Sequence, residues 1–150
     1  MIRESAYDSL ERVSKIDNRL ERKEALRTLV QGIPELAKFL QYVHHPDVEW
    51  ELPEGRIPFV ASGDDQWGVF YNNIKKLPNY FKGSGVNPKQ KVLLFMTLLE
   101  SVTGKDAELL MSAKNKQLPW RKLKPLFVRQ SLPELFPPVA EGEVETDKDD

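Results

Sequence analysis

Apolar residues recur every three or four positions along the first 44 residues, which is the spacing of helices with one buried face. The repeat predicts helices over residues 3–17 and 19–31, the second ending at Gly32. A third helix is expected to start at Pro34 and to stop before Pro46. The apolar positions of these three faces are Ala6, Leu10, Val13, Ile16, Leu26, Leu29, Val30, Ile33, Leu36, Phe39, Leu40 and Val43.

Residues 46–65 do not continue this periodicity, because three prolines and two glycines interrupt them. Apolar and acidic residues alternate over residues 48–52, a pattern that allows one short strand or an extended arm. A single strand needs a partner, so we expect a packed, irregular loop. Its predicted anchors are Trp50, Leu52 and Phe59.

Helical spacing resumes at Trp67. Asn87 and Pro88 have the features of a helix cap and first residue, and the following run predicts a central helix that ends at Gly104. Its expected apolar surface comprises Val92, Leu93, Phe95, Met96, Leu99 and Val102. A short helix is expected over residues 106–114, with Ala107, Leu110 and Met111 inward, and another from Pro125.

These patterns together predict an all-α protein, with a single compact multi-helix domain over residues 1–137 and an irregular loop excursion at about 46–65. Residues 138–150 are acidic and have few apolar anchors, so we expect a disordered acidic C-terminal tail. The N-terminal residues lack the apolar core of a signal peptide, and no apolar run approaches the roughly 20 residues that span a bilayer. A soluble, cytoplasmic protein is the expectation.

Charge is distributed unevenly along the chain. Residues 66–133 hold twelve Lys/Arg and three acids, a formal charge of +9, whereas the whole chain carries −1. Residues 1–65 carry −4 and residues 134–150 carry −6. A strongly basic segment inside a nearly neutral chain indicates a surface for an anionic partner, most commonly nucleic acid.

Two parts of this segment are candidate anion sites. Gly83-Ser84-Gly85 leads into a helix N-terminus beside lysines, a suitable seat for a phosphate, although an ordinary flexible turn is the favoured interpretation. The second part, between Glu108 and Glu134, has six basic residues and no acid, which favours anion binding. Trp120 lies within it, and either stacks on a base or, as we favour, packs into the core. The complete candidate DNA-binding set is Lys75, Lys76, Lys82, Gly83, Ser84, Gly85, Lys89, Lys91, Lys114, Lys116, Trp120, Arg121, Lys122, Lys124 and Arg129.

Other chemistry finds little support in the sequence. The chain has no cysteine, which excludes disulfides and thiolate metal sites. Adjacent helical residues point about 100° apart, so His44-His45 cannot chelate one ion, and a positive charge at a helix C-terminus explains the pair better. The acids of residues 49–65 have no recognisable spacing for catalysis or metal binding, and nothing supports a Ser-His-Asp triad. We therefore expect no enzyme activity, cofactor or metal.

Several short motifs resemble those of a family of uncharacterised proteins of about 150 residues from T4-like phages, including cyanophages. They are Trp50-Glu51-Leu52-Pro53-Glu54-Gly55, Pro58-Phe59, Leu98-Leu99-Glu100-Ser101, Asp106-Ala107, Asn115-Lys116 and Pro133-Glu134-Leu135-Phe136-Pro137. The match covers most of residues 4–137 in order and spacing. It implies a phage-encoded protein in the cytoplasm of an infected bacterium, or associated with the virion, and little about activity.

The order of helices, the Gly-x-Asp-Ala turn and the final Asn-Lys…Leu-Phe-Pro segment are also similar to the all-helical N-terminal domain of ATP-dependent DNA ligases. That resemblance implies a domain that grips the DNA backbone without a catalytic group. Adenylation in that family needs a Lys-x-Asp-Gly motif, and the nearest string here, Lys15-Ile16-Asp17-Asn18, lacks the glycine. We therefore expect no ligase activity.

The first hypothesis from the sequence is a non-catalytic phage accessory protein that binds DNA without sequence preference. The alternative is a protein–protein interaction module that docks on a host or phage replication or transcription component, or on the virion. Its candidate anchors lie near prolines and are Trp50, Trp67, Phe59 and Phe136. A third class, an enzyme acting on small anionic metabolites, would need a pocket with perturbed titratable groups.

Overall fold

The computed structural model describes residues 4–60 and 67–138. Seven α-helices account for most of these residues, with a 3₁₀ helix at Ile74–Tyr80 and another at Pro133–Leu135. The α-helices are α1 (Ala6–Ser14), α2 (Arg19–Gly32), α3 (Pro34–His44), α4 (Trp67–Asn73), α5 (Pro88–Ser101), α6 (Gly104–Ala113) and α7 (Pro125–Ser131). The described residues share one hydrophobic core and contain no strand longer than an isolated bridge, so the all-α prediction is confirmed. The predicted tail lies outside the described residues, apart from Pro138.

The first two helices begin near the predicted positions because a side chain caps each N-terminus. The Ser5 hydroxyl accepts the backbone N–H of Asp8 at the start of α1, and the Asn18 side chain accepts that of Glu21 at the start of α2. These bonds satisfy N–H groups that a helix leaves without internal partners. The helix α1 is shorter than the predicted 3–17, since Lys15 already occupies its C-terminal cap.

Residues 46–60, the described part of the segment after α3, form a packed loop as predicted, and this loop is attached to the core by its backbone as well as its side chains. Trp50 forms an antiparallel bridge with Phe81, in which the Glu51 N–H donates to Tyr80 O at 2.8 Å and the Lys82 N–H to Glu49 O at 2.8 Å. The indole N–H of Trp50 also donates to Tyr42 O at 3.0 Å. The predicted anchors Trp50, Leu52 and Phe59 all pack against the core. Ile57, which is almost fully buried, is an anchor that the pattern did not indicate.

The helix α5 begins at the predicted cap, where the Asn87 side chain accepts the N–H of Lys89 at 2.9 Å. The prediction that Leu93 lies on its buried face is wrong, because 58% of that side chain's surface is exposed. Phe95 and Leu98 face the core, and a turn of about 100° per residue carries Leu93 away from them. The helix α5 is therefore not enclosed on all sides, and α6 is the more deeply buried helix.

The prediction that Gly104 ends the preceding helix is also wrong. The helix α5 already ends at Ser101, and Gly104 is the first residue of α6. Thr103 caps α6, since its hydroxyl accepts the N–H of Asp106 at 3.1 Å. The predicted inward positions of α6, Ala107, Leu110 and Met111, are buried, and α7 begins at Pro125 as expected. None of the described helices combines the length and apolar character of a membrane span.

Candidate anion-binding surface

The structure divides the predicted site residues into two exposed or half-exposed segments and three lysines that are used internally. The 75–89 basic segment, defined as Lys75, Lys76, Lys82 and Lys89, runs from the first 3₁₀ helix to the start of α5. The 121–129 basic segment, defined as Arg121, Lys122, Lys124 and Arg129, lies between α6 and the end of α7. The remaining lysines, whose ammonium groups bond to the protein itself, are Lys91, Lys114 and Lys116.

All four lysines of the 75–89 basic segment are exposed. Gly83 and Gly85 have φ angles of 86° and 88°, and a side chain at either would meet only open space. Conformation rather than crowding therefore explains both glycines. The first turn of α5 contains no acidic residue, so its N-terminal N–H groups and helix dipole are not offset by a carboxylate there.

Lys91 does not belong to this surface, which corrects the sequence-based assignment. Only 1% of it is exposed, and its ammonium group pairs with the Glu51 carboxylate and donates to Phe81 O at 2.8 Å. Lys91 thereby anchors the Trp50-containing loop to α5. A buried charge with a partner of opposite sign is a structural element, and its ammonium cannot reach a DNA phosphate without breaking this pair.

Lys114 and Lys116 also point toward the loop after α3. The Lys114 ammonium donates to Pro53 O at 2.8 Å and to Asn115 Oδ1 at 3.2 Å. The Lys116 ammonium donates to His45 O at 2.6 Å and to Val48 O at 2.8 Å. Burial lowers the pKa of both ammonium groups. Both ammonium groups are therefore directed at the loop after α3 and lie apart from the two basic segments defined above.

Lys116 has an unusual backbone, with a φ angle of 63° just after α6. Its N–H donates to Ala113 O at 2.8 Å, and the Gln117 N–H donates to Ser112 O at 3.2 Å. This pair of backbone hydrogen bonds is the Schellman motif that ends many helices. Glycine is the usual residue at this position, and another residue in this conformation costs on the order of 1–2 kcal/mol. The two bonds of the ammonium group to loop carbonyls offset that cost.

The 121–129 basic segment is less open. Lys122 donates to Asp17 Oδ1 at 2.7 Å and thereby lowers the pKa of that exposed carboxyl group. Trp120 is half-buried, with its ring centroid 4.9 Å from that of Tyr7, which agrees with the favoured packing interpretation. Arg121 and Lys124 line a cleft beside Trp120.

His44 lies in the last turn of α3, but the explanation from the helix C-terminus is wrong for it. The ring is almost fully buried, and burial, with help from Lys116 and Arg129, lowers its pKa to about 3. The imidazole is therefore neutral at pH 7. Neither ring nitrogen has a hydrogen-bond partner among the described residues. His45 instead accepts the Asp47 N–H at 3.1 Å.

Asp106 is a buried carboxylate that was not among the predicted site residues. It lies in the first turn of α6 and accepts the Tyr7 N–H at the start of α1 at 3.0 Å, so it joins two helix N-termini. Burial raises its pKa to about 6, while the bond from Tyr7 opposes the shift. The spacing Thr103-x-x-Asp106 matches a capping box and was a usable signal for its role at α6.

The acids and aromatics weighed for other roles are largely engaged. Glu49 pairs with Lys82 at 3.6 Å, and no group of three or more potential metal ligands forms within the described ranges. Among the predicted docking anchors, Phe136 is buried, while Trp50 and Phe59 pack against the core. The side chain of Trp67 lies outside the described part. Comparison with protein-family models, with curated proteins and with solved structures finds no match to this chain.

Proposed function

We propose that the protein is a non-catalytic, phage-encoded accessory that binds DNA through its phosphates, with the 75–89 basic segment at the centre of the interface. The main support for this proposal is the exposure of Lys75, Lys76 and Lys89 and their lack of ion pairs with described residues. Three unpaired cations and the paired Lys82 lie within 15 residues of one another along the chain.

Phosphate contacts of this kind position a protein on DNA without reading its sequence. The free N–H groups at the start of α5, at the positive end of its helix dipole, add a further favourable contact for a phosphate beside the lysines. The 121–129 basic segment is an additional contact region, because a duplex neutralised at several points binds more tightly than one held at a single cluster. The site assigned here excludes Lys91, Lys114 and Lys116.

A salt titration of duplex binding tests the proposal. Wild-type affinity should fall linearly on a log–log plot against salt concentration, and Lys76→Gln/Lys89→Gln should reduce the slope by about 2, because each phosphate contact contributes about 0.9. The matched control is Lys15→Gln/Lys23→Gln, which changes net charge equally at the C-terminal cap of α1 and on α2. Fluorescence anisotropy with two unrelated duplexes measures both slopes.

No binding at low ionic strength, with or without residues 139–150, would refute the proposal. Equal slopes in the test and control variants would refute the assignment of the interface. The shortened chain belongs in the experiment because the removed residues contain six acids and can compete with DNA for lysines.

Docking on a protein partner is a second candidate, favoured by two adjacent leucines on α5. Leu93 is 58% exposed and Leu94 is 39% exposed. Affinity purification with nuclease treatment distinguishes the two functions. A stoichiometric partner that survives nuclease and is lost with Leu93→Ser/Leu94→Ser would support docking, whereas loss of all partners on nuclease treatment would support DNA binding.

A further inference from the structure

A broad cleft lies between the loop that follows α3 and the turn that follows α6. Its volume is about 780 Å³, which is within the range of small-molecule sites. Val48, Trp50 and Leu52 provide apolar walls, whereas Asn115 and Gln117 provide amides. Lys114 and Lys116 also line this cleft, so two ammonium-bearing side chains share one concave surface.

The electrostatic state of these lysines is unusual. Only 5% of Lys114 is exposed and Lys116 is half-buried, yet neither ammonium forms an ion pair with any carboxylate that the structure describes. Their acceptors are the carbonyls of the loop and the Asn115 amide. Each ammonium has three N–H donors and uses two of them on the protein, which leaves one on each lysine for another acceptor.

Buried cations are normally paired, because removal from water disfavours the charged form. Lowered pKa values of Lys114 and Lys116 reflect this cost. An anion held between the two groups would supply the missing partner and use the two remaining donors.

We propose that this cleft binds the phosphate group of a small phosphate monoester, such as a nucleoside monophosphate, between the ammonium groups of Lys114 and Lys116. A phosphate offers several acceptor oxygens for the two lysine donors. The volume exceeds what inorganic phosphate alone requires, and the apolar and amide walls suit an attached flat group. This site is separate from the proposed DNA interface and does not depend on it.

Two acids at the cleft oppose an anion and should limit its affinity. The charge of the exposed Glu54 raises the pKa of Lys114, and the charge of Glu49 raises the pKa of Lys116, in both cases against the larger effect of burial. Glu49 is already paired with Lys82. Because Glu54 lies at the surface, Glu54→Gln removes this repulsion without disturbing the core. It should tighten phosphate binding, whereas loss of a lysine should weaken it.

Thermal unfolding and calorimetric titration of the full chain, with adenosine monophosphate and adenosine as probes at constant ionic strength, test the proposal. Adenosine monophosphate should raise the melting temperature saturably and should be competed by inorganic phosphate, whereas adenosine, which lacks the phosphate, should have a much smaller effect. Equal effects of the nucleotide and the nucleoside, or no saturable effect of the nucleotide on the wild-type protein, would overturn it.

The variant Lys116→Gly removes one ammonium while supplying the residue that suits a φ angle of 63°, so the α6 turn should remain folded. It should weaken nucleotide affinity about tenfold, the loss expected for one charge-assisted hydrogen bond worth about 1.4 kcal/mol. The control Lys15→Gln, at the C-terminal cap of α1, should bind as the wild type does. Wild-type affinity in a folded Lys116→Gly protein would overturn the assignment. Lys76→Gln/Lys89→Gln should leave nucleotide binding unchanged, which separates this site from the DNA interface.

Discussion

Replacing Arg22 with methionine is expected to lower the free energy of unfolding by about 3 kcal/mol, because two hydrogen bonds from a buried charged donor are lost. Arg22 is fully buried on α2, and its Nη1 donates to Ile16 O at 2.9 Å and to Asp17 O at 3.2 Å. Its guanidinium also lies 4.8 Å from the ring centroid of Phe127. One side chain thus connects the turn between the first two helices to α7.

Urea denaturation measures this loss. Methionine fills a similar volume and keeps contact with Phe127, so the change isolates the hydrogen bonds and charge. The control is Arg12→Met, which removes an exposed ion pair with Glu4 and should cost less than about 1 kcal/mol. A loss for Arg22→Met no greater than that of the control would contradict the role assigned to Arg22.

Acidification from pH 6.5 to pH 3 is expected to remove up to about 5 kcal/mol of stability through His44, since one pKa unit corresponds to about 1.4 kcal/mol. The folded state holds the pKa of this imidazole at about 3, below its ordinary value of 6.5, chiefly by burial. The unfolded chain binds the proton first, so the contribution of His44 to stability is complete above pH 6.5 and is lost as the pH falls.

Asp106 changes the stability in the opposite direction. Its pKa is raised from 3.8 to about 6, so its contribution favours the folded state at low pH and is lost as the pH rises through 6.

The variant His44→Leu separates the two groups. It should be as stable as the wild type at pH 7, because leucine leaves no buried ring nitrogen without a hydrogen bond. Its urea midpoint should not fall between pH 6.5 and pH 5 and should rise slightly, because Asp106 then acts without the opposing contribution of His44, which alone accounts for about 2 kcal/mol in the wild type. The control His45→Leu changes the neighbouring, half-exposed ring and should keep the wild-type pH dependence. A similar acid response in all three proteins would contradict the assignment.

The helical part of the fold was predictable because local chemistry and burial agree there. The Asn87 cap, the Pro88 start and the Pro125 start are all set by backbone geometry within a few residues. The errors at Leu93 and Gly104 have a different origin. Apolar residues within α5 are distributed around most of its circumference, so periodicity alone could not show which face of the helix is buried. Glycine favours a helix end only when a following αL position is needed, and here Thr103 provides a helix start instead.

The candidate site was predictable only in part, since formal charge in a sequence does not show where an ammonium group points. The lysines of the 75–89 basic segment are exposed, whereas Lys91 is nearly as buried as the aromatic residue Phe95 beside it. Long lysine stems can lie within the protein and deliver the charge to a distant carbonyl or carboxylate. Those acceptors lie 40 to 71 residues away for Glu51, Pro53, His45 and Val48, a separation that no local pattern encodes.

The bond between Asp106 and the start of α1 has a consequence for synthesis of the chain. These groups are 99 residues apart, and α1 also packs on α6. The first helix therefore cannot take its final position until most of the polypeptide has left the ribosome. At about 5–20 residues per second, this delay is on the order of ten seconds. During that interval α1 can pack on the neighbouring α2, but the part of its surface that contacts α6 remains accessible to chaperones.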